Sequence, residues 1–239
     1  MLMMTKGSGS DLAGQVKVEA TYLSTRARIN RLVDRYLAVD VLSDRLSDLP
    51  SQFANPHQRP WEPIDWKRVN VQQVIGIEPH LFIQVIAGAA EIEAPIRGYA
   101  KESWDYLREF HPQMAYFVGG DFDAEQGVPV IGIWEKEERQ HTPVMRKLYQ
   151  QLTGEKLQPK PNAVAGYQSG ADSTEAIYQH LCSRISTEWS AIAVYLWLMA
   201  HSTGELQLAI AQLLQDEINH LTKFWGFSRW AFGSSAIEH

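Results

Sequence analysis

Two short motifs, Glu138-Arg139-Gln140-His141 and Glu217-Ile218-Asn219-His220, set the tightest limit on how this chain can fold. Three residues along a helix turn through about 300°, so each Glu and His share one face, a turn apart. Those faces are apolar. Leu206, Ile210, Leu213, Leu214, Leu221 and Phe224 share the face of Glu217, and Ile131, Trp134, Met145 and Leu148 share that of Glu138. A single Glu-x-x-His is a common coincidence on a solvated helix. Two of them, each centred on an apolar stripe, point at a core, where an unpaired charge is costly.

Each motif has an acid to meet it on the preceding helix. Glu188 falls on the stripe of Leu181, Ile185, Ala191, Ile192, Tyr195 and Met199, so it points inward. Upstream, the choice lies between Glu93 and Glu91. Glu93 shares its face with Phe82, Ile86, Ala89, Ala90, Ile96, Ala100 and Trp104, whereas Glu91 shares one with Gln84, Gly88, Ala94 and Gly98. The more apolar face favours Glu93, with Glu91 as the alternative. The candidate set is then Glu93, Glu138, His141, Glu188, Glu217 and His220. One Glu from each of two helices, with a Glu-x-x-His from each of two others, is the ligand arrangement of di-iron carboxylate bundles. Four carboxylates against two divalent cations leave a neutral centre that an apolar interior tolerates. Carboxylate with imidazole suits two iron ions, and manganese accepts the same donors. A thiolate site is excluded, because Cys182 is the only cysteine.

The remaining sequence fits a helical bundle. A length of 239 residues suits one domain, expected over residues 11–239 behind a disordered stretch at 1–10. Helical spacing runs from Asp11 to about Leu46, and Pro50, Pro56, Pro60 and Pro63 mark an irregular connection from Asp48 to Trp66. A helix with a kink at Pro95 is expected from Pro79 to about Phe110, and another from Val130 to Leu152 with a kink at Pro143. After a linker over residues 153–172, two helices close the chain, about Ser173–Ala200 and Glu205–Phe232. Strand signals are poor, with Val128 to Trp134 the only β-branched run. His80, His180 and His201 read as lone histidines, Tyr99, Tyr106 and Tyr195 as core tyrosines, and Cys182 as a small inert hydrophobe.

Composition narrows the function. A formal charge of −6 with no Lys/Arg cluster argues against nucleic acid as the main partner. The longest apolar run, Ala191 to Ala200, is far short of the roughly 20 residues of a membrane span. With no signal-peptide core near Met1 and one cysteine, a cytoplasmic protein is expected.

The two motifs with their preceding acids, Glu137-Glu138-Arg139-Gln140-His141 and Asp216-Glu217-Ile218-Asn219-His220, resemble those of the soluble acyl-[acyl-carrier-protein] desaturases. Trp134 matches a family tryptophan, and Trp61-Glu62-Pro63-Ile64-Asp65-Trp66 resembles a family segment that precedes the first ligand helix. Aligning Gly88 and Tyr99 with the family places the first ligand at Glu93, whereas aligning Pro95 places it at Glu91. The resemblance covers about residues 55–232. It implies an all-α, ferritin-like four-helix bundle with an additional N-terminal helix and a C-terminal extension. It further implies a di-iron centre that activates O₂ against a small apolar or carrier-protein-bound acyl substrate, a ferredoxin-like electron donor, and a homodimer. Asp216 and Glu137 would each orient the histidine of the other motif, and Trp134 would pack against the centre or pass electrons. The chain departs from the family at Gln140, Asn219 and Ala191, where the family has Arg, Arg and Thr, and it is shorter. These departures spare the ligands and bear on the reaction. A ferroxidase or peroxide-consuming protein, or a bundle that only binds, are the alternatives.

Overall fold

Proline and glycine cut the helical sequence into its elements. The computed structural model describes residues 24–47, 49–109, 111–123, 128–158, 160 and 173–232. The stretch at 1–10, the start of the first helical pattern at Asp11, and most of the linker after Thr153 lie outside these residues. Among the described residues the helices are α1 (24–36), α2 (Val39–Ser47), α3 (Leu49–Ala54), α4 (Pro79–Glu93), α5 (Ile96–Leu107), α6 (Pro112–Gly119), α7 (Ile133–Thr153), α8 (Ser173–Ala200) and α9 (Gly204–Phe232). The connection expected to be irregular from Asp48 thus opens with a short helix, α3.

The kinked helix expected after Pro79 is two helices. Pro79 sits in the first turn of α4, where its missing N–H leaves no bond unmade. Pro95 offers no N–H and its ring crowds the carbonyl of Glu91 four residues back. The backbone at Pro95 (φ −85°, ψ 23°) leaves the helical path and restarts as α5. Pro143 has the milder effect, since α7 continues through it.

The helix expected from Val130 begins instead at Ile133. Residues Val128–Val130 form strand β2, antiparallel to β1 (Asp121–Asp123), with Asp121 opposite Val130 and Asp123 opposite Val128. Gly120, just before β1, permits the close approach of the backbone that follows β2. Its φ is +80°, and a Cβ there would lie 1.7 Å from the Val130 carbonyl oxygen. Thus a β-branched run too short to signal a strand on its own still pairs once a partner segment lies beside it.

Helix α8 packs along α9 through the tight turn at residues 201–203, and α4 packs along α7. Gly204 opens α9 at φ +58°, with a Cβ there falling 2.4 Å from Gln73 Nε2. The Val71–Gln73 3₁₀ turn supports this corner: Ile75 N–H donates to the His201 carbonyl at 2.9 Å, and Thr203 N–H to that of Gln73 at 3.0 Å.

Among the described residues the apolar interior forms two cores. One joins α4, α7, α8 and α9 through Phe82, Ile86, Met145, Leu148, Ile192, Ile210 and Leu213. The other, at the opposite end, joins α5, α6, α7, α8 and α9 through Leu107, Phe117, Trp134, Leu181, Phe224 and Phe227. Each fully buried side chain of this size is worth about 1.5–3 kcal/mol of burial. Between the two cores lies a layer of buried acids and histidines. No described helix is long and apolar enough to cross a membrane.

Candidate metal centre

The polar layer exists because each of its helices places acids where the stripe passes from one core to the other. Along α7 the order is Trp134, Glu138, His141, Met145; along α9 it is Leu214, Glu217, His220, Phe224. Glu188 lies between Leu181 and Ile192 on α8, and Glu93 is the last residue of α4. The structure brings all six candidate side chains to one point. Ligand atoms of Glu93, Glu138, His141 and Glu217 lie within 4.8 Å of one another, as do those of Glu138, Glu188, Glu217 and His220. Glu91, half-buried and two residues earlier on nearly the opposite side of α4, belongs to neither group.

The two quartets share Glu138 and Glu217, and each shared carboxylate divides its oxygens between the halves. Glu138 turns Oε2 to His141 Nδ1 at 3.4 Å and Oε1 to His220 Nδ1 at 2.9 Å. Glu217 turns Oε1 to His141 Nδ1 at 3.1 Å and Oε2 to His220 Nδ1 at 3.7 Å. Glu93 lies 3.8 Å from His141 Nδ1, and Glu188 lies 3.4 Å from His220 Nδ1. The imidazole rings face each other 6.2 Å apart.

The outer nitrogens cross over. His141 Nε2 lies 3.4 Å from Asp216 of α9, and His220 Nε2 lies 3.0 Å from Glu137 of α7. A carboxylate partner fixes the proton of a neutral imidazole on Nε2, which leaves Nδ1 as a lone pair directed inward. His141 Nδ1, His220 Nδ1 and Glu217 Oε1 are buried, and none has a hydrogen-bond partner. A lone pair facing carboxylate oxygens at these distances is repulsive unless a cation or a proton lies between. The donor set therefore fits a pair of divalent cations.

Without a cation, protons fill that role. Burial raises Glu217 and Glu93 above the ordinary carboxylate range, and the Glu138 charge adds to it. Burial also opposes ionisation of Glu138, but His141 and His220 outweigh it and hold that carboxyl well down. Burial works against a charged His141 and His220 as well. Glu138 and Glu217 overcome it for His141; Glu137, Glu138, Glu188 and Glu217 do so for His220.

A clamp from the proline-rich connection holds the outer acids. Arg59 N–H donates to Glu137 at 2.7 Å, while its side chain bonds Asp216 at 2.7 Å and the Gln212 carbonyl at 2.6 Å. Trp61 Nε1 donates to the other Asp216 oxygen at 2.9 Å. Arg59 and Gln212 carry no local signal in the sequence, because their partners lie about 80 to 160 residues away. Only the tryptophan-proline-aspartate segment beside Arg59 marks the region. On the inner side, Tyr195 O–H donates to Glu93 at 2.9 Å, and Trp134 meets the His220 ring edge-on at 6.2 Å.

A cavity of about 460 Å³ opens onto the layer. Glu93, Glu138, Glu188 and Glu217 line its floor, and Val85, Ala89, Ile92 and Val194 its apolar end. Tyr99, Glu102, His180 and Arg184 line the other end. No family profile, characterised protein or solved structure matches the chain. What the site can do therefore follows from its own geometry.

Proposed function

We propose that α4, α7, α8 and α9 form a ferritin-like four-helix bundle that holds two iron ions and activates O₂ to oxidise an apolar, acyl-chain-like substrate. The observation that carries this reading is a pair of buried donor quartets, sharing Glu138 and Glu217, that face an apolar cavity. Bound iron would supply the reducing electrons for O₂ and the oxidising power to attack an unactivated C–H bond.

The chain's own residues provide the rest. Glu138 and Glu217 bridge the two halves, while Glu93 with His141 and Glu188 with His220 complete them. Asp216 and Glu137 hold each ring with Nδ1 inward. The wall of Val85, Ala89, Ile92 and Val194 offers the reacting chain an apolar surface beside the acids. The cavity favours an organic substrate over a ferroxidase role, which needs only a path for ions. A ferredoxin-like donor, a homodimer and a cytoplasmic setting complete the proposal.

Anaerobic loading with ferrous iron, elemental analysis, and an optical spectrum after O₂ exposure test the centre. Fewer than about one metal ion per chain would remove it. Incubation with acyl substrates and a reduced ferredoxin, read by mass spectrometry, tests the reaction. Iron oxidation without organic turnover in that assay would turn the reading to the ferroxidase.

A further inference from the structure

We propose that the cavity takes its substrate as a free carboxylic acid, the carboxylate on Arg184 and the alkyl chain running over the acids to Val85 and Val194. The proposal rests on reading the cavity as the substrate site and narrows that reading from any acyl chain to an unesterified one.

Arg184 is 8 % exposed and lies on α8, one turn before Glu188. Its guanidinium bonds Glu102 through one terminal nitrogen at 3.1 Å. Its Nε is buried and has no hydrogen-bond partner. Tyr99 and Trp134 lie against the guanidinium, with ring centroids 5.3 and 5.6 Å away, and hold its plane. A guanidinium has two edges that match a carboxylate, both ending on the terminal nitrogen that Glu102 holds, and Glu102 leaves donors on each without a carboxylate partner. His180, beside it on the cavity wall, has its pKa held down to about 3 by burial and then by the Arg184 charge. It is neutral near pH 7 and neither repels nor replaces an incoming anion.

The opposite end of the cavity is apolar, so the two ends differ as the two ends of a fatty acid do. From Arg184 to Val194 the helix rises about 15 Å, and from Arg184 to Glu188 only about 6 Å. An acid anchored at Arg184 therefore lays its first few carbons beside the acidic floor and its tail beyond it. A carrier-bound thioester has no charge to offer Arg184.

Calorimetric titration of the full chain with dodecanoate, dodecanol and methyl dodecanoate decides the matter. Dodecanoate is expected to bind about tenfold or more tightly than either neutral analogue. Arg184→Gln is expected to weaken the acid by about that factor and leave the alcohol unchanged. Glu102→Gln, which removes the competing carboxylate, is expected to tighten it. Equal binding of acid and alcohol by the wild type, or no binding of either, overturns the proposal, and neither result depends on a variant folding. An acid preference that survives Arg184→Gln overturns it too. The titrations are run with and without iron. A chain that prefers the acid but takes up no iron keeps the Arg184 assignment and loses the oxidoreductase, whereas iron uptake without the preference does the reverse.

Discussion

The acid from α8 and the acid from α4 reach one centre by unlike routes. Glu188 sits well inside a 28-residue helix, 4 % exposed, with the helix continuing on both sides. Glu93 is the last residue of a 15-residue helix, its side chain 11 % exposed, and Pro95 ends the helical path just beyond it. The His220 quartet is wholly buried, whereas the His141 quartet has one less deeply buried corner at Glu93. Two sequence motifs of the same form thus make two unequal halves. The motif fixes the donor types, and the helix that carries the fourth donor fixes how firmly it is held.

The largest effect should come from removing what the halves share. Glu138→Ala or Glu217→Ala is expected to abolish loading of both ions. Helicity by circular dichroism should persist, because the two cores are apolar and lie on either side. Retention of metal in these variants would remove the ligand assignment.

Changes confined to one half come next. Glu93→Ala and Glu188→Ala are each expected to leave about one ion per chain by elemental analysis. A chelator should strip the ion at the Glu93 side first. Glu91→Ala should leave the metal content at the wild-type level. Equal stripping rates for the two ions would break the comparison.

Arg59 separates the halves differently. Arg59→Met removes the side-chain partner of Asp216, behind His141, yet keeps the backbone N–H that holds Glu137, behind His220. Leaving a buried carboxylate short of its cation is expected to cost about 3 kcal/mol in urea unfolding. Loss of metal should be greater at the His141 side.

The smallest effect is one of pH, at the end of α8 that faces α5. His180 is buried, with its Nε2 3.0 Å from Ser103 Oγ, and its pKa is lowered to about 3. A depressed histidine contributes stability above its unfolded value, and that contribution declines as pH falls from about 6.5 toward 3. Unfolding near pH 5 should require about 1–2 kcal/mol less than at pH 7 from this group. His180→Gln should flatten that limb of the profile.

The six candidate donors were legible because helix period converts spacing into direction. Glu138, His141, Glu217 and His220 each sit on a stripe that identifies the buried face, as does Glu188. Glu93 was harder, since Pro95 interrupts the period that would have told it from Glu91. The β ribbon was missed because three residues on each side carry no alternation of their own. Arg59, Gln212 and the cavity could not be read at all. Their partners are set by how distant helices pack, and no local pattern reports that.

The division of the interior into two apolar blocks bears on how the centre is assembled. Each block can close on its own oily contacts, so the chain need not wait for a cation before adopting its shape. Protonated imidazoles would hold the gap between the blocks in the interim, and under the proposed reading incoming cations would displace those protons. Metal would then enter a finished vessel through the cavity that the four acids line, as a late and reversible step of maturation.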